Sequence, residues 1–289
     1  MTQKPLILSL RDVHFSRQQG AGFSLHIQEF AVARGQCVAL IGASGCGKST
    51  TLDILAGILR PTRCGEFLFC PQGAGLLPQP ESSPHRLSLH KKPSQQASTV
   101  HNLAALWDKG HSNALAALRL AHMGYVLQTG GLLPFLPVGE QILLGCTLLN
   151  QGEAGVQRAK ELAHILGIER LLSAYPASLS VGERQRVAIA KALASAPQLV
   201  LADEPTAALD PRNAQTVMQL FTDLARSLGC TVIMVTHAPD MAHKMGFCPA
   251  PMHITPAGDS AIIQYSPAPI NPAAQALQAA RSENALCDK

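Results

Sequence analysis

A glycine-rich run near the start of the chain has residue types and spacing that suit phosphate binding. It fits the pattern G-x-x-x-x-G-K-[ST], and its members are Gly42, Ala43, Ser44, Gly45, Cys46, Gly47, Lys48, Ser49 and Thr50. Glycines let the backbone wrap a phosphate with N–H groups pointing inward, and a helix N-terminus adds positive charge. Lys48 would reach the β- and γ-phosphates, and Ser49 would bind Mg²⁺. We therefore predict a nucleotide site rather than an ordinary glycine turn, and call the run the phosphate loop.

Two acidic residues, Asp203 and Glu204, directly follow the apolar run 199–202. Adjacent acids at the end of a strand form a solvated turn in most proteins. Ligands of open α/β sheets, however, bind at the carboxyl ends of the strands. Beside a phosphate loop, Asp203 is therefore predicted to hold Mg²⁺ and Glu204 to face an attacking water.

Two further groups have both a structural and a functional interpretation. Ser180 and Glu183 have the S-x-x-E spacing of a capping box at the start of a helical stretch. The same helix N-terminus, with a Ser hydroxyl and the Gly182 amide, is also suited to phosphate. His237 follows an apolar run, where a lone histidine is usually satisfied by local hydrogen bonds.

The elements that would position these groups alternate between apolar runs and helical patterns. The run 37–41 leads into the phosphate loop, and a helical pattern over 48–59 is stopped by Pro61. Later, apolar runs at 199–202 and 232–235 flank another helical pattern, as buried parallel strands joined by a crossover helix do. The core is therefore predicted to be α/β.

An antiparallel edge and a small helical subdomain are predicted around this core. Residues 6–10 and 23–27 alternate in the manner of short strands. The helical patterns that suggest the subdomain lie at 113–121, 139–149 and 154–166.

Composition separates the chain into one domain and two atypical segments. Residues 71–104 are rich in Pro, Gln, Ser and His, and such a segment cannot bury enough apolar surface to form a core. We predict a mobile insertion there. The Pro- and Ala-rich residues 266–289 are predicted to be a flexible tail, which leaves 1–265 as the domain, with its helical subdomain at about 129–179.

Bulk properties exclude several classes of protein. The chain has 289 residues, 47% of them hydrophobic, which is enough to bury a core and excludes disorder of the whole. A net charge of +4 without a basic run does not call for nucleic acid. Eight cysteines without a C-x-x-C pair argue against a zinc knuckle or a disulfide framework. No secretory signal or membrane span is recognised, and a cytoplasmic location is predicted.

Taken in order, these pieces resemble the ATP-binding cassette (ABC) transporter family from about residue 8 to residue 237. The segments that carry the resemblance are GYVLQ at 124–128 (Q-loop), LSVGE at 179–183 (signature), QLVLADEP at 198–205 (Walker B), AALD at 207–210 (D-loop) and THA at 236–238 (switch histidine). We call residues 179–183 the signature segment. Val181 replaces the first glycine of the family's signature, and the 71–104 insertion and the tail also depart from the family's pattern.

The resemblance implies the composition of the site. It gives catalytic roles to Glu204, His237 and Lys48. It adds to the phosphate loop a set of nucleotide-contacting residues, namely Phe15 as the adenine-stacking aromatic, Gln128, Ser180, Gly182, Glu183, Asp203 and Asp210. The implied Mg²⁺ ligands are Ser49, Gln128 and Asp203.

The implied fold is a P-loop NTPase with an ABC-type core, and the implied activity is ATP hydrolysis that energises a separate membrane permease. ATP would be sandwiched between the phosphate loop of one copy and the signature segment of another. The chain would then lie peripherally on the cytoplasmic face of the membrane. Its sequence is most similar to those of the lipoprotein-release and macrolide-export type ATPases. The alternative is a non-transport ATPase of the same superfamily, whose long heptad arms or second cassette are not found. A regulatory pseudo-ATPase would have lost Lys48 or Glu204.

Overall fold

The computed structural model describes residues 5–16, 23–72, 100–254 and 260–266. Its strands are β1 (Leu6–Ser16), β2 (Ser24–Ala33), β3 (Cys37–Ile41), β4 (Arg63–Phe69), β5 (His101–Asn102), β6 (Met123–Val126), β7 (Leu199–Asp203), β8 (Thr231–Val235), β9 (Cys248–Ile254) and β10 (Ser260–Tyr265). Its α-helices are α1 (Lys48–Leu55), α2 (Leu103–Asp108), α3 (Ser112–His122), α4 (Val138–Leu148), α5 (Gly152–Ile165), α6 (Val181–Leu193), α7 (Pro211–Ser227) and α8 (Pro239–Lys244).

The strands form one mixed sheet with two distinct halves. The order is β5-β4-β1-β2-β10-β9-β3-β8-β7-β6. From β9 to β6 neighbouring strands run parallel, whereas β1 pairs antiparallel with β2 and β4. The predicted parallel core and antiparallel edge are therefore both present.

Burial explains the parallel half. All residues of β7 and β8, and all but the last of β3, are buried, which is the pattern of parallel strands covered on both faces. On one face they pack against a cluster that includes residues of α4, α5, α6 and α7. On the other face, α1 and the antiparallel strands share a second cluster. The carboxyl ends of β3, β7 and β8 therefore meet at one edge, where α1 begins.

Helices α4, α5 and α6 pack on one another, but α3, which the sequence placed with the helical subdomain, does not join them. It contacts α2 and β6, and its Leu115 is buried in the cluster shared with the antiparallel strands. The physical reason is the direction of its apolar face, which a helical period alone does not reveal.

Several predicted boundaries differ from the structure. The first helix ends at Leu55 rather than residue 59. Most of the predicted insertion, residues 73–99, lies outside the described residues, but its last residues belong to β5, paired with β4, and to α2. Nearly all of the predicted tail also lies outside them. Among the described residues, no helix is both long enough and apolar enough to cross a membrane.

Candidate functional site

The phosphate loop places a lysine at the junction between β3 and α1. The Lys48 side chain is buried, and its Nζ donates hydrogen bonds to the carbonyl oxygens of Gly42 (3.0 Å) and Ala43 (2.8 Å). Gly47, the residue before α1, has φ 89°, a left-handed conformation that favours glycine. The loop thus places an ammonium group and the N-terminus of α1 side by side, and a helix N-terminus of this kind suits a phosphate.

Close packing adds a second reason for glycine at position 47. A Cβ built there would lie 2.3 Å from Cζ of Phe23, so the aromatic ring sits directly against the loop backbone. Sequence reasoning missed Phe23, because a lone phenylalanine at the start of an alternating strand is typical of core packing. Phe15, which was predicted to meet the base, lies opposite Leu25 and packs against the apolar cluster, where it is half-buried.

The end of β7 brings an acid to the first turn of α1. Ser49 Oγ donates a 3.0 Å hydrogen bond to Oδ1 of Asp203. Burial raises the pKa of the Asp203 carboxyl, and the Ser49 hydrogen bond partly opposes this shift. Asp53 on α1 is another acid near Asp203, and its charge also raises the pKa of Asp203. Asp53 accepts a 2.9 Å hydrogen bond from the hydroxyl of Tyr125 on β6. This Asp53–Tyr125 pair has no motif and was not predicted.

The Glu204 carboxylate lies between two side chains from other parts of the sequence, His237 and Gln128. Its Oε1 lies 2.7 Å from His237 Nε2, and its Oε2 accepts a 3.4 Å hydrogen bond from Gln128 Nε2. Its backbone has φ 46°, which is rare for a residue with a Cβ and is found most often at functional sites. The backbone N–H donates to Val235 O at 3.1 Å and fixes this turn to the end of β8.

The signature segment has the capping box that the sequence predicted. Ser180 Oγ accepts from the Glu183 N–H at 3.3 Å, and Ser180 N–H donates to Glu183 Oε2 at 3.0 Å. The Glu183 carboxylate accepts from the Ser180 backbone N–H and also from the Ser180 hydroxyl, at 2.9 Å, and these two hydrogen bonds, the backbone one first, lower the pKa of Glu183. Arg170, which sequence reasoning missed, donates to the other carboxylate oxygen at 2.7 Å.

The signature segment stands apart from the phosphate loop in the structure of one chain. In the part of the chain that the structure describes, no hydrogen bond or ion pair joins the two. Asp210, another predicted nucleotide contact, caps α7 by accepting from Asn213 N–H at 3.2 Å. Its pKa is lowered chiefly by the Asn213 side-chain hydrogen bond.

A phosphate loop between β3 and α1, with acids at the end of β7, which is separated from β3 by β8, defines a P-loop nucleoside triphosphatase. Residues 25–207 match the family model described as ABC transporter. A curated relative, the lipoprotein-releasing system ATP-binding protein LolD 1 of Rhodospirillum rubrum, is 35% identical over 75% of this chain and 81% of its own length. The chain belongs to the ABC transporter family.

Solved structures agree with this membership. The ATP-binding cassette MJ0796, a dimer in a post-hydrolysis state bound to ADP and Pi, has a TM-score of 0.63 and 28% identity, covering 84% of this chain and 93% of the other. The cassette cbiO1 from Clostridium perfringens, part of the transporter complex cbiONQ, has a TM-score of 0.62 at 22% identity, covering 91% and 88%, and supports the fold alone. The predicted fold class and the predicted role as an ATP-binding, ATP-hydrolysing transporter subunit are confirmed, and the non-transport alternative is not favoured.

Proposed function

We propose that two copies of this chain close on ATP and Mg²⁺ and that hydrolysis reopens them, which drives a separate membrane permease. The observation that carries the proposal is the meeting of Glu204, His237 and Gln128 beside the phosphate loop. Each of these side chains comes from a different stretch of the sequence, so their convergence at hydrogen-bonding distances from one carboxylate has no simple explanation in core packing.

The residues at the start of α1 fit a nucleotide with its magnesium ion. Mg²⁺ prefers oxygen ligands in octahedral geometry at about 2.0–2.1 Å, which sets neighbouring ligands about 2.9 Å apart. Ser49 Oγ and Asp203 Oδ1 are 3.0 Å apart and suit two such positions, with Gln128 as the third proposed ligand. When bound, the ion would neutralise charge on the β- and γ-phosphates. Lys48 would turn from its loop carbonyls to the same phosphates.

Glu204 is the proposed group that polarises the attacking water. Its carboxylate is held from both sides, by His237 at one oxygen and Gln128 at the other. In this arrangement His237 fixes the position of the carboxylate and of the γ-phosphate, and Glu204 accepts the proton of the water. Base assistance of this kind is typically worth about 10²–10⁴ in rate.

The signature segment is the proposed second half of the site, supplied by the other copy. Ser180 and Gly182 lie at the exposed N-terminus of α6, where a hydroxyl and backbone amides can meet the γ-phosphate. Val181 has a half-exposed side chain, so the replacement of the family's glycine leaves these two groups in place. Phe15 is retained as the proposed base-stacking residue, and Asp210 as a contact near the same interface.

The permease is proposed by analogy with the relatives. LolD 1 is the ATP-binding protein of a lipoprotein-releasing system, and we place this chain nearest the lipoprotein-release and macrolide-export type ATPases. It would bind the cytoplasmic face of its membrane through the permease. No nucleic-acid partner is proposed.

Replacing Glu204 by Gln tests the mechanism. The exchange keeps the size of the side chain and removes its charge, so ATP should still bind while hydrolysis falls by at least about 10². The variant should also run as an ATP-dependent dimer in size exclusion, because hydrolysis no longer reopens it. Turnover at the wild-type rate would contradict the role of Glu204. Glu140, an acid in the first turn of α4, offers a control, since Glu140→Gln should leave turnover unchanged.

A further inference from the structure

A cluster of one carboxylate and two imidazoles lies on the antiparallel half of the sheet. Asp12 and His14 belong to β1, and His26 is the direct cross-strand partner of His14 on β2. The two imidazole rings are stacked, with centroids 3.9 Å apart and planes inclined by 15°. None of the three residues belongs to the nucleotide site.

The ligand-type atoms of this cluster lie close together. Oδ1 of Asp12 lies 2.8 Å from His14 Nε2 and 3.3 Å from His26 Nε2. All three atoms are within 4.8 Å of one another, and among the described residues this is the one group of His, Cys, Asp or Glu that meets that condition. The side chains are partly exposed, at 46%, 37% and 31% for Asp12, His14 and His26, so an ion can reach them from solvent.

We propose that Asp12, His14 and His26 form a binding site for a divalent transition metal of the zinc class. Zinc binds imidazole nitrogen and carboxylate oxygen at about 2.0–2.2 Å, and in a tetrahedron such bonds place neighbouring ligands about 3.4 Å apart. The observed separations of 2.8 and 3.3 Å are close to that value, and one imidazole would turn out of the ring stack so that both Nε2 atoms face the ion. Three protein ligands leave the fourth position for water.

A neighbouring cation orients the carboxylate of this cluster. Arg63 donates a 3.0 Å hydrogen bond to Oδ2 of Asp12, which orients the carboxylate and leaves Oδ1 for the metal. In the hydrogen-bonded cluster the carboxylate accepts from Nε2–H, so to bind a metal each imidazole would take its other neutral tautomer, with the proton on Nδ1 and the lone pair on Nε2.

The test is a titration of the full chain with Zn²⁺ in excess Mg²⁺, so that Mg²⁺ fills the oxygen-rich nucleotide site. Wild type should bind one equivalent of Zn²⁺ that the double variant His14→Ala/His26→Ala loses. Asp12→Asn should weaken binding by about tenfold or more. Co²⁺ in place of Zn²⁺ should give a visible absorption spectrum typical of four-coordinate nitrogen and oxygen ligands in wild type alone.

A matched control comes from His164, which also pairs with a carboxylate, Glu169, at 3.0 Å but without a second histidine. His164→Ala should leave the Zn²⁺ equivalent intact. Zn²⁺ should also raise the thermal midpoint of wild type and not that of the double variant, because a ligand that binds only the folded state stabilises it. The site is disproved if wild type binds no Zn²⁺ equivalent, if the double variant binds it as tightly as wild type, or if His164→Ala removes it.

Discussion

The two halves of the proposed nucleotide site differ in how they are held within one chain. At the phosphate loop, side chains from separate elements are tied together, as in the bonds of Ser49 to Asp203 and of Glu204 to His237. The signature segment instead satisfies its own polar groups through the Ser180–Glu183 capping box. Ser180 and Val181 of this segment are exposed at the start of α6.

This difference indicates that the geometry of the phosphate half depends on the packing of distant segments, whereas the geometry of the signature half depends on local sequence. The phosphate half needs β3, β7 and β8 in register, because its groups sit at their carboxyl ends. The signature half needs only a well-capped helix, since its geometry is set by residues three positions apart. Substitutions in the first half should therefore change what one chain binds, and those in the second should change what two chains do together.

Lys48→Ala should have the largest effect on ATP binding. Removing a buried ammonium that would meet two phosphates should cost about 2–5 kcal/mol of MgATP binding, which is at least about thirtyfold in Kd. Equilibrium binding of a fluorescent ATP analogue measures this directly. Lys191, a cation on α6 that donates to the Gly131 carbonyl at 2.7 Å, provides a comparison, and Lys191→Ala should bind ATP as wild type does. Wild-type affinity in Lys48→Ala would show that the phosphate half is not the binding half.

Asp203→Asn should separate stability from activity within the phosphate half. Loss of the carboxylate should lower the rate of MgATP hydrolysis by at least about 100-fold. A residue that only supports a metal ligand typically costs about 10–100-fold when it is lost, and Asp203 is proposed to bind the ion directly. Without nucleotide, the variant should have the higher Tm, because burial raises the pKa of Asp203 and its ionised form opposes folding.

The pH dependence of that Tm difference follows from the sign of the shift. A carboxyl whose pKa is higher in the folded chain than in the unfolded chain lowers the free energy of unfolding when the pH is above the folded pKa. This loss disappears as the pH falls toward the ordinary Asp pKa of 3.8. The Tm advantage of Asp203→Asn should therefore be present at neutral pH and narrow on acidification. A lower Tm than wild type at neutral pH would contradict the assignment.

Ser180→Ala tests the signature half. Loss of the N-cap should destabilise the chain by about 1 kcal/mol, or about 2–4 °C in Tm for a chain of this size class. ATP binding by the single chain should stay within about twofold, whereas turnover that needs two copies should fall by tenfold or more. Ser178→Ala, which removes a hydroxyl bonded to the Tyr175 carbonyl, is the control. A loss of monomer ATP binding in Ser180→Ala would erase the distinction between the halves.

Arg170→Ala should have the smallest effect. The Arg170 side chain is 77% exposed, and exposed ion pairs contribute about 0–1 kcal/mol. The free energy of unfolding measured in urea should therefore change by less than about 1 kcal/mol, and the ATP turnover rate should change by less than about threefold. A tenfold fall in turnover with unchanged stability would mean that Arg170 positions Glu183 for the second copy.

Sequence reasoning predicted the groups whose geometry is local or whose order is fixed by motif. The phosphate loop, the Ser180–Glu183 capping box and the acids after β7 can each be recognised from the spacing of a few residues in one segment of the sequence. It missed Phe23 against Gly47, the bond from Tyr125 to Asp53, and the burial of α3 beside α2. These depend on contacts between residues far apart in sequence, so no pattern within one segment could reveal them.

The left-handed backbone of Glu204 has a consequence for protein engineering. A residue with a Cβ in this conformation costs about 1–3 kcal/mol, and its φ of 46° is one that glycine adopts freely. Glu204→Gly should therefore make the folded chain more stable while removing the proposed base. A selection that rewards only thermal resistance would enrich such variants and so deplete the library of active enzymes.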